Sequence, residues 1–209
     1  MHLTLTLILT LTLAPLTRPT RQRIVITIIS GTNRPGSNTR KVSGVIEVIY
    51  RELGVPIRLL DLHALPPELF LPDAYAHQPA AFAPFAQAVL EASGLVVVTP
   101  EYNGSFPGVL KVFIDHLKFP ESFEARPVAF VGLAAGIWGA LRGVEQLQAI
   151  FGYRNAHVFP KRVFMPNVGK SFDGGGVFAN PELEKRLRDQ AAEYCTFVEQ
   201  IRGRRLRPA

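Results

Sequence analysis

From Arg23 onward the chain alternates short runs rich in β-branched residues with longer amphipathic or alanine-rich stretches, and this alternation restricts the fold more than any other feature. Strands that alternate with helices call for a parallel sheet with crossover helices. The first run, residues 24–30 (IVITIIS), is apolar without a polar face, as suits a strand covered on both sides. Further strands are predicted at 55–61, 95–99 (LVVVT), 128–132 and 157–164. Helices are predicted at 37–53, 79–92, 107–117, 139–151 and 181–201. The first places Val42, Val45, Ile46 and Ile49 at helical spacing before Gly54; the last has Asn180 as its cap and Glu182 and Glu184 in its first turn. The result is one doubly wound α/β domain over residues 23–200. Such sheets bind ligands at the carboxyl ends of their strands, near the point where strand order reverses. Function is therefore to be sought just after Ser30, Thr99 and Gly132.

Charge bounds the partners. The 209 residues hold 23 Lys and Arg against 17 Asp and Glu, a formal +6 that by itself would suggest a polyanion. Seven of those arginines lie in 1–23 and 201–209, which contain no acid, leaving 16 basic against 17 acidic side chains between them. The body is close to neutral, so no nucleic-acid partner is expected, and 201–209 reads as a basic tail. Residues 1–22 are a Leu/Thr-rich segment expected to extend outside the fold. Its apolar stretch is too short for a membrane-spanning helix, and its arginines follow that stretch where a secretory leader would have them precede it. A dispensable extension, a targeting segment and a packed strand all remain open for it. Cys195 is the only cysteine, which excludes an internal disulfide and is compatible with a cytoplasmic location. The five histidines form no metal-binding spacing, so no metal is expected.

The loop after the first strand reads Gly31-Thr-Asn-Arg-Pro-Gly-Ser-Asn-Thr-Arg40 and runs straight into a helix. Glycines, hydroxyls, an arginine and a helix N-terminus together make an anion cradle. Ser37 stands where a nucleotide triphosphatase loop needs Lys, and there is no G-x-G-x-x-G, so a terminal monophosphate fits best. The loop after the third strand reads Thr99-Pro-Glu-Tyr-Asn-Gly-Ser-Phe-Pro-Gly-Val-Leu-Lys111. G-T-N-R-x-G-S-N-T together with P-E-Y-N-G-S-x-P-G-x-L-K resembles the NAD(P)H-dependent FMN reductases of flavodoxin-like fold, whose relatives include quinone, azo-dye and chromate reductases.

The resemblance implies a five-stranded sheet of order 2-1-3-4-5 with FMN as cofactor and NADPH or NADH as co-substrate. It implies that Thr32, Arg34, Ser37, Asn38 and Thr39 hold the FMN phosphate, and that Pro100, Glu101, Tyr102, Asn103, Gly104 and Ser105 follow the ring edge. The small residues Ala134, Ala135 and Gly136 after the fourth strand would lie beside the ring. It further implies a homodimer or homotetramer and a small-molecule electron acceptor. Because the cofactor carries the chemistry, no side chain is assigned as catalytic, Glu101 included. Trp138 reads as core or interface, and Arg142 as solvated or in a subunit contact. The competing reading is a flavodoxin-type electron carrier without NAD(P)H activity; an FMN-free descendant of the fold is a third.

Overall fold

The computed structural model describes residues 23–204, so the three alternatives for 1–22 and the end of the basic tail fall outside the described residues. Five strand positions run in the order 2-1-3-4-5, all parallel. The strands are β1 (Ile26–Ser30), β2 (Ile57–Asp61), β3 (Gly94–Pro100) and β4 (Pro127–Leu133), and two short strands, β5 (His157–Val158) and β6 (Val163–Met165), share the fifth position. The helices are α1 (Asn38–Glu52), α2 (Ala83–Leu90), α3 (Gly108–Asp115), α4 (Leu141–Tyr153) and α5 (Pro181–Arg204). Both faces of the sheet are covered, as the apolar strands require. On one face α1 and α5 bury Val42, Ile46, Ile49, Leu187, Tyr194 and Val198; on the other α2, α3 and α4 bury Val89, Leu110, Phe113, Val144, Leu147 and Phe151.

Three predicted elements differ. The strand expected at 157–164 is interrupted, because Pro160 has no N–H for the ladder. Gln190 of α5, 3% exposed, spans the break by donating from Nε2 to Phe130 O at 3.0 Å and Lys161 O at 2.8 Å. The helix expected at 79–92 begins as a 3₁₀ turn, Ala80–Phe82, and is α-helical only from Ala83. The helix expected from Gly139 starts at Leu141, since Gly139 (φ 57°) and Ala140 (φ 67°) both take left-handed backbone to turn into it. In addition, α5 continues to Arg204, so 201–204 are helical. No described helix is long and apolar enough to cross a membrane.

Close packing fixes α5 on the sheet. Tyr194 donates its hydroxyl to Leu95 O at 2.8 Å, and a Cβ on Gly94 would lie 2.6 Å from that hydroxyl. Burial, with the Glu199 carboxylate adding to it, pushes the neighbouring Cys195 thiol up to about 11, so it is protonated and unreactive at neutral pH.

Gln190→Leu strands the buried Phe130 carbonyl, removes a second bond to the Lys161 carbonyl, and is expected to lower stability by about 1–3 kcal/mol in denaturant unfolding. Cys195 is expected to react with a disulfide reagent at mildly alkaline pH far more slowly in the folded protein than after denaturation.

Candidate cofactor site

The sheet reverses its order between β1 and β3, and the loops that leave those strands meet there. Gly31 keeps the first loop tight: its N–H donates to Val98 O at 2.8 Å, and a Cβ there would lie 2.7 Å from the same oxygen. Thr32 follows, fully buried, its Oγ1 2.9 Å from the hydroxyl of Tyr102 and accepting from Arg34 N at 3.3 Å. Asn33, Arg34, Pro35 and Gly36 are exposed, and Gly36 takes φ 62° with open space around it. Ser37 caps α1, accepting from Arg40 N at 3.2 Å. The loop itself carries no acid, so the helix N-terminus, the hydroxyls and Arg34 favour an anion there, while the nearby Asp61 carboxylate is taken up by Arg40 at 3.4 Å.

The phosphate residues expected from sequence therefore come together, though in different states. Arg34 is exposed, Ser37 and Asn38 are half-buried at the helix start, and Thr39 is buried on the inward face of α1, where its carbonyl accepts from Ser43 Oγ. Asn33, to which the sequence assigned no role, lies exposed in the same loop. Its carbonyl is held by His63, whose Nδ1 lies 2.9 Å away, a contact between residues 30 apart.

The second loop continues the sheet for one residue past β3, with Glu101 N donating to Leu133 O at 3.0 Å. Tyr102 and Ser105 then pair through two backbone bonds of 2.8 and 3.1 Å around Asn103 (φ 53°) and Gly104 (φ 75°). Two successive positive φ values are those of a type I′ turn, which Asn-Gly favours. Ser105 Oγ donates to Gln146 Oε1 at 2.5 Å, and Gly143 permits the close approach: a Cβ there would lie 3.0 Å from Phe106 N. Glu101 turns one carboxylate oxygen toward Arg142, at 3.4 Å, and buries the other without a protein partner. The Arg142 guanidinium sits over the Trp138 ring at 5.4 Å.

The third loop is tied to the segment around β6. Both backbone groups of Ala134 are engaged, its N–H with Met165 O and its carbonyl with Val168 N, and Gly136 O accepts from Asn167 N. Ala135 and Gly136 are exposed at the rim, with Ile137 (70% exposed) and Trp138 (53%) beside them. Among the described residues no cluster of His, Cys, Asp or Glu is fit for a metal ion.

This geometry joins an anion cradle to a flat turn rich in backbone polar groups. The sequence pattern described as NADPH-dependent FMN reductase matches residues 24–170. An NAD(P)H-dependent FMN reductase of Pseudomonas aeruginosa is 30% identical over 180 residues, covering 84% of this chain and 95% of that protein. The chain belongs to the NADPH-dependent FMN reductase family. It is an NAD(P)H-dependent reductase-type flavoenzyme, which sets aside the electron-carrier reading. A quinone reductase of Escherichia coli K12 is 29% identical over 160 residues, covering 68% of this chain and 81% of that one. Among solved structures, a flavoenzyme NAD(P)H:(acceptor) oxidoreductase of Paracoccus denitrificans has a TM-score of 0.70 at 21% identity, covering 86% and 98%. An archaeal flavodoxin has a TM-score of 0.57 at 10% identity, covering 84% and 98%. These two structures share the flavodoxin-like fold of this chain.

Gly31→Ala is expected to lower stability by about 1–3 kcal/mol, since the new methyl meets backbone rather than a yielding side chain. The measurement is the thermal unfolding midpoint, and a variant as stable as wild type would show that the loop can leave β1 another way.

Proposed function

We propose that this reductase binds FMN across the β1/β3 junction and passes hydride equivalents from NADPH or NADH to a small acceptor. The observation that carries the reading is the Thr32–Tyr102 contact at 2.9 Å, which makes the anion cradle and the Asn103–Gly104 turn one continuous surface. FMN matches that surface: a dianionic tail suits the helix N-terminus, and a planar head suits an exposed shelf edged with backbone donors and acceptors. Arg34, Ser37 and Asn38 would hold the phosphate, with Thr32 and Thr39 supporting the loop and the helix start from their buried positions. Pro100 to Ser105 would lie along the ring edge, with Ala135 and Gly136 across from them and Ala134 behind.

When bound, FMN supplies the hydride-accepting and electron-donating chemistry. The residues of this chain bind and orient. The helix start and Arg34 fix the tail, while the rigid turn, locked by its two backbone bonds and by Gln146, presents the same edge to donor and acceptor alike. Arg142 neutralises Glu101, limiting the negative charge beside a group that gains electrons. No side chain is required to move a proton.

Quinones are the favoured acceptor class, because the quinone reductase of E. coli is among the relatives matched over most of their length. The exposed Ile137 and Trp138 at the rim support an assembly of copies that covers the shelf. We place the enzyme in the cytoplasm, where reduced nicotinamide is supplied.

The test is anaerobic mixing of the FMN-loaded protein with NADPH or NADH. Loss of the oxidised-flavin absorbance is expected, and a flavin that stays oxidised with both donors would overturn the reading. Steady-state rates with a quinone are expected to give parallel double-reciprocal lines, since donor and acceptor use one surface in turn.

A further inference from the structure

We propose that His63 is a positioning residue for FMN, fixing the Asn33–Arg34 peptide so that the phosphate loop stays open to a dianion; the proposal rests on the FMN reading above. His63 stands in the 3₁₀ turn that follows β2, outside both loops assigned to the cofactor. Its Nδ1 lies 2.9 Å from Asn33 O, and because the acceptor is a carbonyl, that nitrogen carries the proton. The N–H of the same peptide, that of Arg34, donates to Thr32 Oγ1 at 3.3 Å. A peptide unit has one donor and one acceptor on opposite sides, and here both are held, so its plane cannot rotate without breaking two bonds. A carbonyl that swung into the loop would set its lone pairs against the phosphate. His63 keeps it engaged elsewhere.

His63 is itself anchored from two directions. Its backbone N–H donates to Asp61 Oδ1 at 3.2 Å, and the other oxygen of Asp61 pairs with Arg40 Nε at 3.4 Å, in the first turn of α1. The carboxylate thus ties the turn that carries His63 to the helix whose N-terminus closes the cradle. On the other side, Thr32 Oγ1 meets the Tyr102 hydroxyl. A hydrogen-bonded path therefore runs from the end of β2, through the phosphate loop, to the loop assigned to the ring. The strand register accounts for the meeting: Ser30 pairs with Asp61, so the segments that follow them emerge side by side.

The test compares wild type, His63→Ala and His63→Asn, whose Nδ2 can stand where the imidazole Nδ1 stood. Affinities for FMN and for riboflavin, which lacks the phosphate, are read from flavin fluorescence quenching. Amide hydrogen exchange of residues 31–37 is read on the flavin-free protein. His63→Ala is expected to weaken FMN binding about tenfold, as for one lost hydrogen bond, with riboflavin changed by about twofold at most. It should also speed exchange in the loop, and His63→Asn should restore both properties. Unchanged FMN affinity in His63→Ala, an equal loss for both flavins, or no recovery in His63→Asn overturns the proposal. If wild type bound neither flavin, the FMN reading would fail by itself, and loop exchange unchanged by His63→Ala would then dispose of the clamp as well.

Discussion

The chain lays down β1, steps to one side for β2, then crosses to the other side of β1 for β3, and the site depends on how the backbone leaves β1 at that reversal. The crossovers to β2 and to β3 depart on opposite faces, which leaves a crevice at the carboxyl ends of β1 and β3. The Gly31 bond to Val98 pins the first loop to the neighbouring strand before it can diverge, and only a residue without Cβ fits there. One residue later Thr32 is aimed at Tyr102, and the two loops become a single surface. The meeting of the α1 N-terminus with the Asn103–Gly104 turn follows from that geometry.

Much of this was legible because it is local. An uninterrupted apolar run such as IVITIIS announces a doubly covered strand, Ser37 announces its helix, and Asn103-Gly104 announces a tight turn, each through the chemistry of adjacent residues. The two loop motifs carried the family, and the family carried the strand order. Contacts set by register rather than by neighbours were not legible. His63 looked like one scattered histidine among five, because its partner lies 30 residues away and only the pairing of β1 with β2 brings them together. The broken fifth strand had a visible cause in Pro160, but the residue that compensates, Gln190, sits on a different element and gave no sign in sequence. The small size of Ala134 is visible in sequence, but the bonds of its N–H to Met165 at the end of β6 and of its carbonyl to Val168 just beyond are a pairing that composition does not encode.

Charge shows the same division between ends and body. The arginines that make the chain formally basic cluster toward the termini, while most body charges make short-range pairs, such as Lys111 with Asp115 and Arg188 with Glu184. Exposed pairs of this kind contribute little to stability. Their effect is to leave the field at the strand ends to a few groups, Arg34 at the cradle and Arg142 beside Glu101, so that the site's electrostatics are set locally.

The interrupted strand at β5 and β6 also bears on how copies of this chain can meet. An outermost strand ordinarily offers a row of unpaired backbone groups on which another chain can add, the first step toward runaway association. Here that row is cut into pieces of two and three residues, with a proline in the gap. Strand addition at this edge therefore has no continuous template. Copies that associate on this side of the sheet must do so through helices and loops, and the exposed Ile137 and Trp138 offer one such surface at the rim of the candidate site.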